Sequence, residues 1–326
     1  MSIHQVIKNF PKQFEFEPVI ENKEKLRSFS KIIVAGMGGS NLASELLKNY
    51  GNNYEIIIHR DYGLPSLNDS VLSQSLIIAS SYSGNTEEVL DAFNLAISKS
   101  LNIAAISIGG RILKLAESSG APYIRMPDTG VEPRLALGFS LRALMKLIGD
   151  EEGLKETKAL SNLLDSDKSQ KEGQFLAQSL EGYMPVIYSS LKNAAIACIW
   201  KIKFNETAKI PSFYNSFPEL NHNEMTGFDI NNATKDLSRN FKFIFLEDGE
   251  DGEKIKKRMT VTRKLFEDRG FAVLASELSG HSKWQKVFNS LLVADFASFY
   301  SAGFYGNEPE KVPMVEEFKN IIRESI

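Results

Sequence analysis

An apolar run that leads into a glycine-rich loop constrains this chain more than any other stretch. Residues 32–35 read Ile-Ile-Val-Ala, and Gly36-Met-Gly-Gly-Ser40 follows directly. A run without polar alternation is typical of a strand buried on both faces of a parallel sheet. Glycines permit positive φ, and residues 41–50 read as a helix. The stretch therefore predicts a strand, a tight turn and a helix, a junction whose exposed amides favour an anion.

The loop by itself leaves two alternatives open. A dinucleotide fingerprint needs a third glycine where Asn41 stands, and a P-loop needs Gly-Lys-Ser/Thr, which this loop lacks. Strand-to-helix turns that hold no ligand are common in α/β folds. The loop therefore indicates either an anion site or a purely structural turn.

Composition indicates a globular chain that is long enough for two domains. It has 326 residues, of which 43% are hydrophobic and 24% charged, which is ordinary for a globular protein. A net charge of −3 without a block of lysine and arginine argues against nucleic acid as a partner. The single cysteine, Cys198, excludes an internal disulfide. No apolar run reaches the roughly 18 residues of a membrane span, so we expect no membrane partner and a cytoplasmic protein.

Apolar strands alternate with helical segments through both halves of the chain. In the first half we predict strands at 31–35, 55–59, 75–80, 103–107 and 123–126, separated by helices such as 41–50, 86–99 and 135–148. In the second half we predict strands at 184–188, 242–246 and 272–275, with helices at 191–205, 254–269 and 283–303. This alternation predicts an α/β fold with two parallel sheets flanked by helices. The segment 149–170 is rich in charged residues and serine, so we place a domain boundary near residue 152, giving domains 1–152 and 153–326.

A second loop, rich in hydroxyls, follows the predicted strand 75–80. It reads Ser80-Ser-Tyr-Ser-Gly-Asn-Thr-Glu-Glu88, with Thr86 placed to cap the next helix. The hydroxyls of Ser81, Ser83 and Thr86 are suited to donate to phosphate oxygens. No lysine or Mg²⁺-binding aspartate accompanies them, so the loop favours holding a phosphate over transferring it. The alternative is a serine-rich turn with a threonine cap.

The second half offers no equivalent of these two loops. Tyr188-Ser-Ser190 follows a predicted strand as Gly36–Ser40 does, but it lacks the glycines. The similar order of strands and helices suggests a duplicated domain, although no sequence repeat is visible. We therefore predict one phosphate site, in the first half.

The two loops together resemble the paired signatures of the sugar isomerase (SIS) domain, which binds phosphosugars. More narrowly, Glu132-Pro-Arg134, Asn205-Glu206 and Asn221-His-Asn-Glu224 resemble motifs of the bifunctional phosphoglucose/phosphomannose isomerases. The resemblance runs in order from about residue 30 to the carboxyl terminus. It implies two SIS-type domains and interconversion of glucose 6-phosphate, and of mannose 6-phosphate where the site accepts it, with fructose 6-phosphate. It implies no metal and no cofactor.

The resemblance also implies roles for individual residues. Moving a carbonyl between C1 and C2 requires ring opening, proton abstraction and support for an enediolate, which a carboxylate, a histidine or lysine, and a cation can supply. By the family pattern, Glu206 shuttles the proton and Arg134 supports the enediolate. His222 serves ring opening from across a homodimer interface, at the partner's site, and Lys319 of a terminal helix is also linked to ring opening. The residues expected to bind the phosphosugar are Gly38, Gly39, Ser40, Ser81, Ser83 and Thr86.

Each catalytic candidate also has a plain structural interpretation. Glu206 could form an ion pair with a neighbouring lysine such as Lys203. Arg134 could be a surface residue that begins a helix, and His222 and Lys319 could simply be solvated. On the function as a whole, two alternatives remain: a regulator that binds phosphosugars without catalysis, and an isomerase of another sugar phosphate.

The chain departs from the family pattern just before its last helix. Relatives carry Asp-Pro-Thr-Pro-Val, whereas aligning Pro313 with the second proline puts Val312 at the position of the threonine. Valine keeps the shape of threonine and removes its hydroxyl, so the use of mannose 6-phosphate is in question. A milder departure is Asn41, where relatives often have a small residue.

Overall fold

A computed structural model describes residues 2–51 and 54–324. Contacts divide the chain into two compact units. The N-terminal unit is Asn9–Leu164, and the C-terminal unit is Met1–Lys8 together with Asp165–Ile326. The first helix, α1 (Ile3–Lys8), belongs to the C-terminal unit. In the described part of the chain, none of the helices combines the length and the apolar character needed to cross a bilayer.

The N-terminal unit contains a five-stranded sheet in the order β2-β1-β3-β4-β5, and every neighbouring pair is parallel. The strands are β1 (Lys31–Gly36), β2 (Ile56–His59), β3 (Ser75–Ser80), β4 (Asn102–Ser107) and β5 (Tyr123–Arg125). The helices are α2 (Leu42–Tyr50), α3 (Asp69–Ser73), α4 (Glu87–Ser98), α5 (Gly110–Ser119), α6 (Leu137–Ile148), α7 (Glu151–Lys158) and α8 (Leu160–Leu163).

The C-terminal unit contains a four-stranded sheet in the order β7-β6-β8-β9, again parallel throughout. Its strands are β6 (Met184–Ser190), β7 (Phe213–Phe217), β8 (Phe241–Glu247) and β9 (Val273–Glu277). Its helices are α9 (Ser166–Ser179), α10 (Ala194–Lys203), α11 (Glu224–Gly227), α12 (Lys235–Ser238), α13 (Glu253–Glu267), α14 (Lys283–Phe304) and α15 (Pro313–Glu324). The prediction of two parallel sheets flanked by helices is thereby confirmed.

The apolar runs in the sequence correspond to strands covered on both faces. Every residue of β3 and of β4 is buried, and Ile33 of β1 pairs with Ile77 of β3 in the centre of the sheet. Because a central strand of a parallel sheet has no solvent face, it needs apolar side chains in both directions. The C-terminal core is aromatic instead, with Tyr188, Phe243 and their neighbours in one cluster.

The division between the units differs from the expected boundary near residue 152. Residues 151–164 form two helices that pack on the N-terminal unit. The buried guanidinium of Arg142 in α6 donates through Nη1 to the Leu154 carbonyl at 2.8 Å and to Thr157 Oγ1 at 3.1 Å, which holds α7 against α6. Conversely, Ser166 Oγ donates to the Lys8 carbonyl at 3.0 Å, which holds α1 in the C-terminal unit.

One strand was not predicted at all. Strand β7 reads Phe-Tyr-Asn-Ser-Phe and lies at the edge of its sheet. Phe213 and Tyr214 are exposed, so the strand has neither the continuous apolar run of a buried strand nor clean alternation. Tertiary pairing with β6, rather than local pattern, makes this segment a strand.

Candidate active site

The two predicted ligand loops lie at one point of the N-terminal sheet. In the sheet order β2-β1-β3-β4-β5, the chain leaves β1 toward β2 on one side and leaves β3 toward β4 on the other. Such a switch point between adjacent strands is where open α/β sheets bind ligands. The loop Met37–Asn41 follows β1 and the loop Ser81–Thr86 follows β3. Because Gly36 pairs with Ser80, the two loops begin side by side at the carboxyl edge of the sheet.

Hydrogen bonds join the two loops into one surface. Ser80 Oγ donates to the Ser40 carbonyl at 3.0 Å, and the Tyr82 amide donates to Ser40 Oγ at 2.8 Å. Ser40 is buried as a consequence. Its hydroxyl therefore shapes the site by tying the first loop to the second.

The hydroxyls of the second loop divide into an inner and an outer group. Ser81 is fully buried, and its Oγ accepts from the Gly84 amide at 3.1 Å and lies 2.8 Å from Thr86 Oγ1. Thr86 occupies the predicted N-cap position of α4, but its side chain makes no capping hydrogen bond. Ser83 is exposed. The first-turn amides of α4, uncapped by Thr86, and the Ser83 hydroxyl are thus suited to an anion.

A third loop, which the sequence analysis did not single out, supports the second. Gly84 and Gly110 both have positive φ, at 71° and 75°. A Cβ at Gly84 would lie 1.9 Å from the Gly109 carbonyl oxygen, and one at Gly110 would lie 2.3 Å from the Ser83 carbonyl oxygen. Only glycine allows so close an approach. The available signal was Ser107-Ile-Gly-Gly110 after the predicted strand 103–107, a glycine pair in the same position as Gly38 and Gly39 after β1.

The Arg134 segment lies against the first loop. A short turn, Pro133–Leu135, packs on Gly39 so closely that a Cβ there would lie 2.8 Å from the Arg134 amide nitrogen and from Pro133 Cβ. The Arg134 side chain is 1% exposed, and its Nη1 lies 3.6 Å from a carboxylate oxygen of Glu132. Arg134 is therefore a buried guanidinium beside the first loop and not a surface residue.

Glu206 lies in the C-terminal unit, in a π-helical turn. The turn Phe204–Ala208 extends α10 and leaves Glu206 half-buried. Single π turns are rare and occur frequently at functional sites. Lys203, just before the turn, lies 2.5 Å from Asp295 of α14, and neither side chain is more than 3% exposed. This buried ion pair fixes the helix from which Glu206 projects.

His222 follows the carboxyl end of β7. It is exposed, and its ring has no hydrogen-bond partner in the part of the chain that the structure describes. Because β6 and β7 are parallel, α10 must return the chain to the amino edge of the sheet before β7 begins, and β7 with its 5 residues then spans about 16 Å. Glu206 and His222 therefore lie toward opposite edges of one sheet, and their own unit does not bring them together.

Lys319 lies on α15, where its side chain is exposed. The Val315 and Glu316 amides donate to the Val312 carbonyl at 2.9 and 3.1 Å, so Val312 is the residue that precedes the helix, and Pro313 takes its first position. Within residues 2–51 and 54–324, no three His, Cys, Asp or Glu side chains converge as metal ligands would.

Known proteins resemble this chain over most of its length. A family model described as the bacterial phospho-glucose isomerase C-terminal SIS domain matches residues 169–322. The bifunctional phosphoglucose/phosphomannose isomerase of Aquifex aeolicus is 31% identical, over 98% of this chain and 98% of the relative. That of Caldicellulosiruptor bescii is 33% identical, over 99% of this chain and 98% of the relative. This chain belongs to the bifunctional phosphoglucose/phosphomannose isomerase family.

The fold of this family member is shared more widely. The crystal structure of glucosamine-6-phosphate deaminase from Thermotoga maritima matches with a TM-score of 0.65, covering 95% of this chain and 96% of that chain, at 18% identity. An identity so low supports the fold alone. The structural match confirms the SIS-type architecture that the sequence predicted.

The predicted site residues fall into two groups, one in each unit. The N-terminal unit brings together Gly38, Gly39, Ser40, Ser81, Ser83, Thr86 and Arg134. The C-terminal unit holds Glu206, His222 and Lys319 on three separate elements.

Proposed function

We propose that this family member is an aldose-ketose isomerase that interconverts glucose 6-phosphate and fructose 6-phosphate through an enediolate. The observation that carries the proposal is that the family's loop residues and Arg134 coincide with the β1/β3 switch point, the place where this fold binds ligands. Family membership supports the reaction class. The names of the relatives extend the proposal to mannose 6-phosphate.

The N-terminal site would hold the phosphate of the substrate. Its glycine amides, the start of α4 and the exposed Ser83 hydroxyl supply donors without a lysine or a magnesium ligand among them, as holding rather than transferring a phosphate requires. Ser40 and Ser81 act mainly by shaping the loops. Bonds to the phosphate, which does not react, position the sugar for chemistry at C1 and C2.

The reaction itself would use a carboxylate and a cation. Glu206 takes the proton from one carbon of the open-chain sugar and returns it to the neighbouring carbon, while the electron pair passes through the enediolate. The guanidinium of Arg134 is a cation suited to stabilising the negative charge that develops on the enediolate oxygens. Lys319 and His222 are assigned to ring opening.

A homodimer would supply His222 to the partner's site. Glu206 and His222 lie toward opposite edges of one sheet. This placement supports the assignment, because the two side chains of one chain would then act at different sites. Mixing two inactive variants tests it. Glu206→Gln and His222→Ala chains, refolded together, should recover about a quarter of wild-type turnover, since half of the random dimers carry one intact site. If both groups act within one chain, the mixture should recover nothing.

The role of Glu206 is tested by the isosteric change Glu206→Gln. Turnover should fall by about 10²–10⁴-fold, and exchange of the C2 hydrogen with deuterated solvent should fall with it, while phosphosugar binding stays. Glu181→Gln, a change of an exposed carboxylate in the turn after α9, is the matched control and should leave turnover unchanged. Near-wild-type turnover in Glu206→Gln would remove Glu206 from the mechanism.

One assay separates the remaining alternatives. Fructose 6-phosphate is supplied with EDTA present, and glucose and mannose products are measured separately. We expect glucose 6-phosphate to form with EDTA present, and Val312→Thr to raise the share of mannose 6-phosphate. Binding of sugar phosphates without any exchange of the C2 hydrogen would instead favour the non-catalytic regulator.

A further inference from the structure

The segment that carries His222 is anchored at its first residue by helix α13. Asn221 Nδ2 donates to Thr262 Oγ1 at 2.8 Å. Arg258 Nη1 donates to Asn221 Oδ1 at 3.3 Å. Both polar atoms of the amide are therefore engaged by one helix.

The same segment is anchored at its last residue by the sheet. The Tyr188 hydroxyl donates to Glu224 Oε1 at 2.6 Å, and Asn215 Nδ2 donates to Glu224 Oε2. Tyr188 of β6 and Asn215 of β7 are directly paired in the sheet, so they present their donors side by side. One carboxylate thus bridges two neighbouring strands through both of its oxygens.

Burial makes this anchor costly to break. Tyr188 is 0% exposed and packs among the rings of Phe217, Phe243, Phe245 and Phe266. Burial and the hydrogen bond to Glu224 raise the pKa of the Tyr188 phenol well above its ordinary value. The phenol therefore remains a donor at any working pH. Without Glu224 it would be a buried hydroxyl without its acceptor, which proteins avoid.

The residues between the two anchors are held as well. Asn223 Nδ2 donates to Glu219 Oε1 at 2.8 Å, and its Oδ1 accepts from the Glu224 amide at 2.5 Å. His222, in contrast, is exposed and its ring touches no hydrogen-bond partner in the described chain. The backbone of His222 is fixed on both sides while its ring is left to face outward.

We infer that Glu224 is a positioning residue for His222. Its carboxylate oxygens accept from Tyr188 of β6 and Asn215 of β7, so Glu224 holds the His222 backbone against these two strands. A catalytic imidazole must be held in place to be effective. This inference rests on the proposed function, in which His222 acts on the substrate.

A graded set of variants tests the inference in the full-length enzyme. Glu224→Ala should lower kcat at least tenfold while KM for fructose 6-phosphate changes less than twofold. Glu224→Gln keeps one acceptor for Tyr188, and Tyr188→Phe removes only the phenol donor, so both should lose less of kcat than Glu224→Ala. Circular dichroism and thermal melting confirm that each variant is folded, and Glu181→Gln is the control. Wild-type turnover in Glu224→Ala overturns the inference.

A double-mutant cycle separates positioning from a general structural role. If Glu224 acts through His222, adding Glu224→Ala to His222→Ala should lower kcat by less than twofold further. If the fold losses of kcat in the two single variants multiply in the double variant, Glu224 does not act through His222 and the inference is wrong. If His222→Ala alone has wild-type turnover, the proposed role of His222 fails instead. Should Glu224→Ala not fold, the same cycle is run with Tyr188→Phe, with the same two outcomes.

Discussion

The switch points of the two sheets share one architecture and differ in their chemistry. In each unit the first strand lies between the second and the third, and a short turn ending in a buried asparagine leads from it into a helix. The asparagine is Asn41 in the N-terminal unit and Asn193 in the C-terminal unit. The first residue after the third strand is Ser81 in one unit and Asp248 in the other. The N-terminal point is lined by glycines and hydroxyls, and the C-terminal point by charged groups.

Asp248 fills the C-terminal switch point with an anion of the chain's own. Its side chain is 3% exposed, and its oxygens lie 3.0 Å from Lys192 Nζ and 3.1 Å from Lys286 Nζ. The Glu250 amide donates to it at 3.0 Å and Asn193 Nδ2 at 3.4 Å. A carboxylate thus stands where the same fold elsewhere holds a ligand.

Among the described residues, the N-terminal switch point has Ser81, and no carboxylate, in the position of Asp248. Asn41 Nδ2, equivalent in position to the Asn193 amide that reaches Asp248, has no hydrogen-bond partner in the described part of the chain. We infer that the shared architecture offers two positions suited to an anion and that Asp248 occupies one of them. The position of Asp248 gives a physical reason for predicting a single phosphate site, in the first half of the chain.

The largest expected effect follows from the close packing of the N-terminal loop. Gly39→Ala would place a methyl group 2.8 Å from the Arg134 amide, so the loop and the Arg134 turn must separate. A displacement of about 1 Å in a catalytic site can cost about 100-fold, and we expect a fall of that size in kcat/KM, measured with fructose 6-phosphate. Gly249→Ala, in the loop after β8, meets nothing within 4 Å and should have wild-type kinetics. Equal losses of kcat/KM in Gly39→Ala and Gly249→Ala would contradict the proposed difference between the N-terminal switch point and the one that Asp248 fills.

The elements of the N-terminal switch point were predictable because they are local. A buried parallel strand needs an apolar run, and an anion loop needs glycines and hydroxyls, so Gly36–Ser40 and Ser80–Glu88 carry their own signals. The positions of the buried strands could be predicted for the same reason, since each has an apolar run of its own. The edge strand β7 was missed because its partner, not its pattern, defines it.

Contacts between distant positions could not be predicted in this way. Tyr188 and Glu224 are separated by 36 positions, and nothing near either residue indicates the other. The ion pair of Lys203 with Asp295 was likewise not predicted, because the two residues are far apart in the sequence. The π turn at Glu206 also has no local signature. Such features arise from packing that only the folded chain supplies.

The second prediction concerns removal of the Asp248 carboxylate from the C-terminal switch point. Asp248→Ser gives this loop the residue type that follows β3. It removes the buried one of the two carboxylates, Asp248 and Glu250, that Lys192 and Lys286 share. Breaking a buried ion pair costs about 3–5 kcal/mol, and partial exposure of Lys192 reduces the expected loss of unfolding free energy to about 2 kcal/mol. Inorganic phosphate at about ten times its Kd should restore about 1.4 kcal/mol, measured by urea denaturation.

The control for this experiment is the wild-type protein, whose N-terminal site should also bind phosphate. A second anion site is supported only if phosphate raises the unfolding free energy of Asp248→Ser more than that of the wild type. Adding Lys286→Met should abolish the extra gain, because it removes one of the two cations. Identical gains in all three proteins would show that Asp248 does not fill an anion site.

The third prediction separates the inner from the outer hydroxyl of the N-terminal loop. Ser81→Ala removes the buried hydroxyl that accepts from the Gly84 amide and contacts Thr86 Oγ1, although the Ser81 carbonyl still accepts from that amide. The loss of these side-chain hydrogen bonds should lower the unfolding free energy by about 1 kcal/mol. Ser83→Ala should leave stability unchanged and raise KM by about tenfold, the cost of one hydrogen bond to a charged group. Thermal melting and steady-state kinetics measure both. A stable Ser81→Ala variant with a raised KM would reverse the two assignments.

The smallest expected effect concerns the pH dependence of the closed switch point. Burial alone would raise the pKa of Asp248, but hydrogen bonds from the Glu250 amide, Lys192 and Lys286 outweigh it and lower that pKa to about 2. A carboxylate whose pKa is lower in the folded than in the unfolded state stabilises the fold above its unfolded pKa, near 4, and loses this contribution as the pH falls toward 2. The stability difference between wild type and Asp248→Asn should therefore shrink by about 1 kcal/mol between pH 5 and pH 3. Ser81→Ala, whose missing hydroxyl does not titrate in this range, should keep a constant difference from wild type, so a parallel decline in both variants would assign the pH effect to other carboxylates.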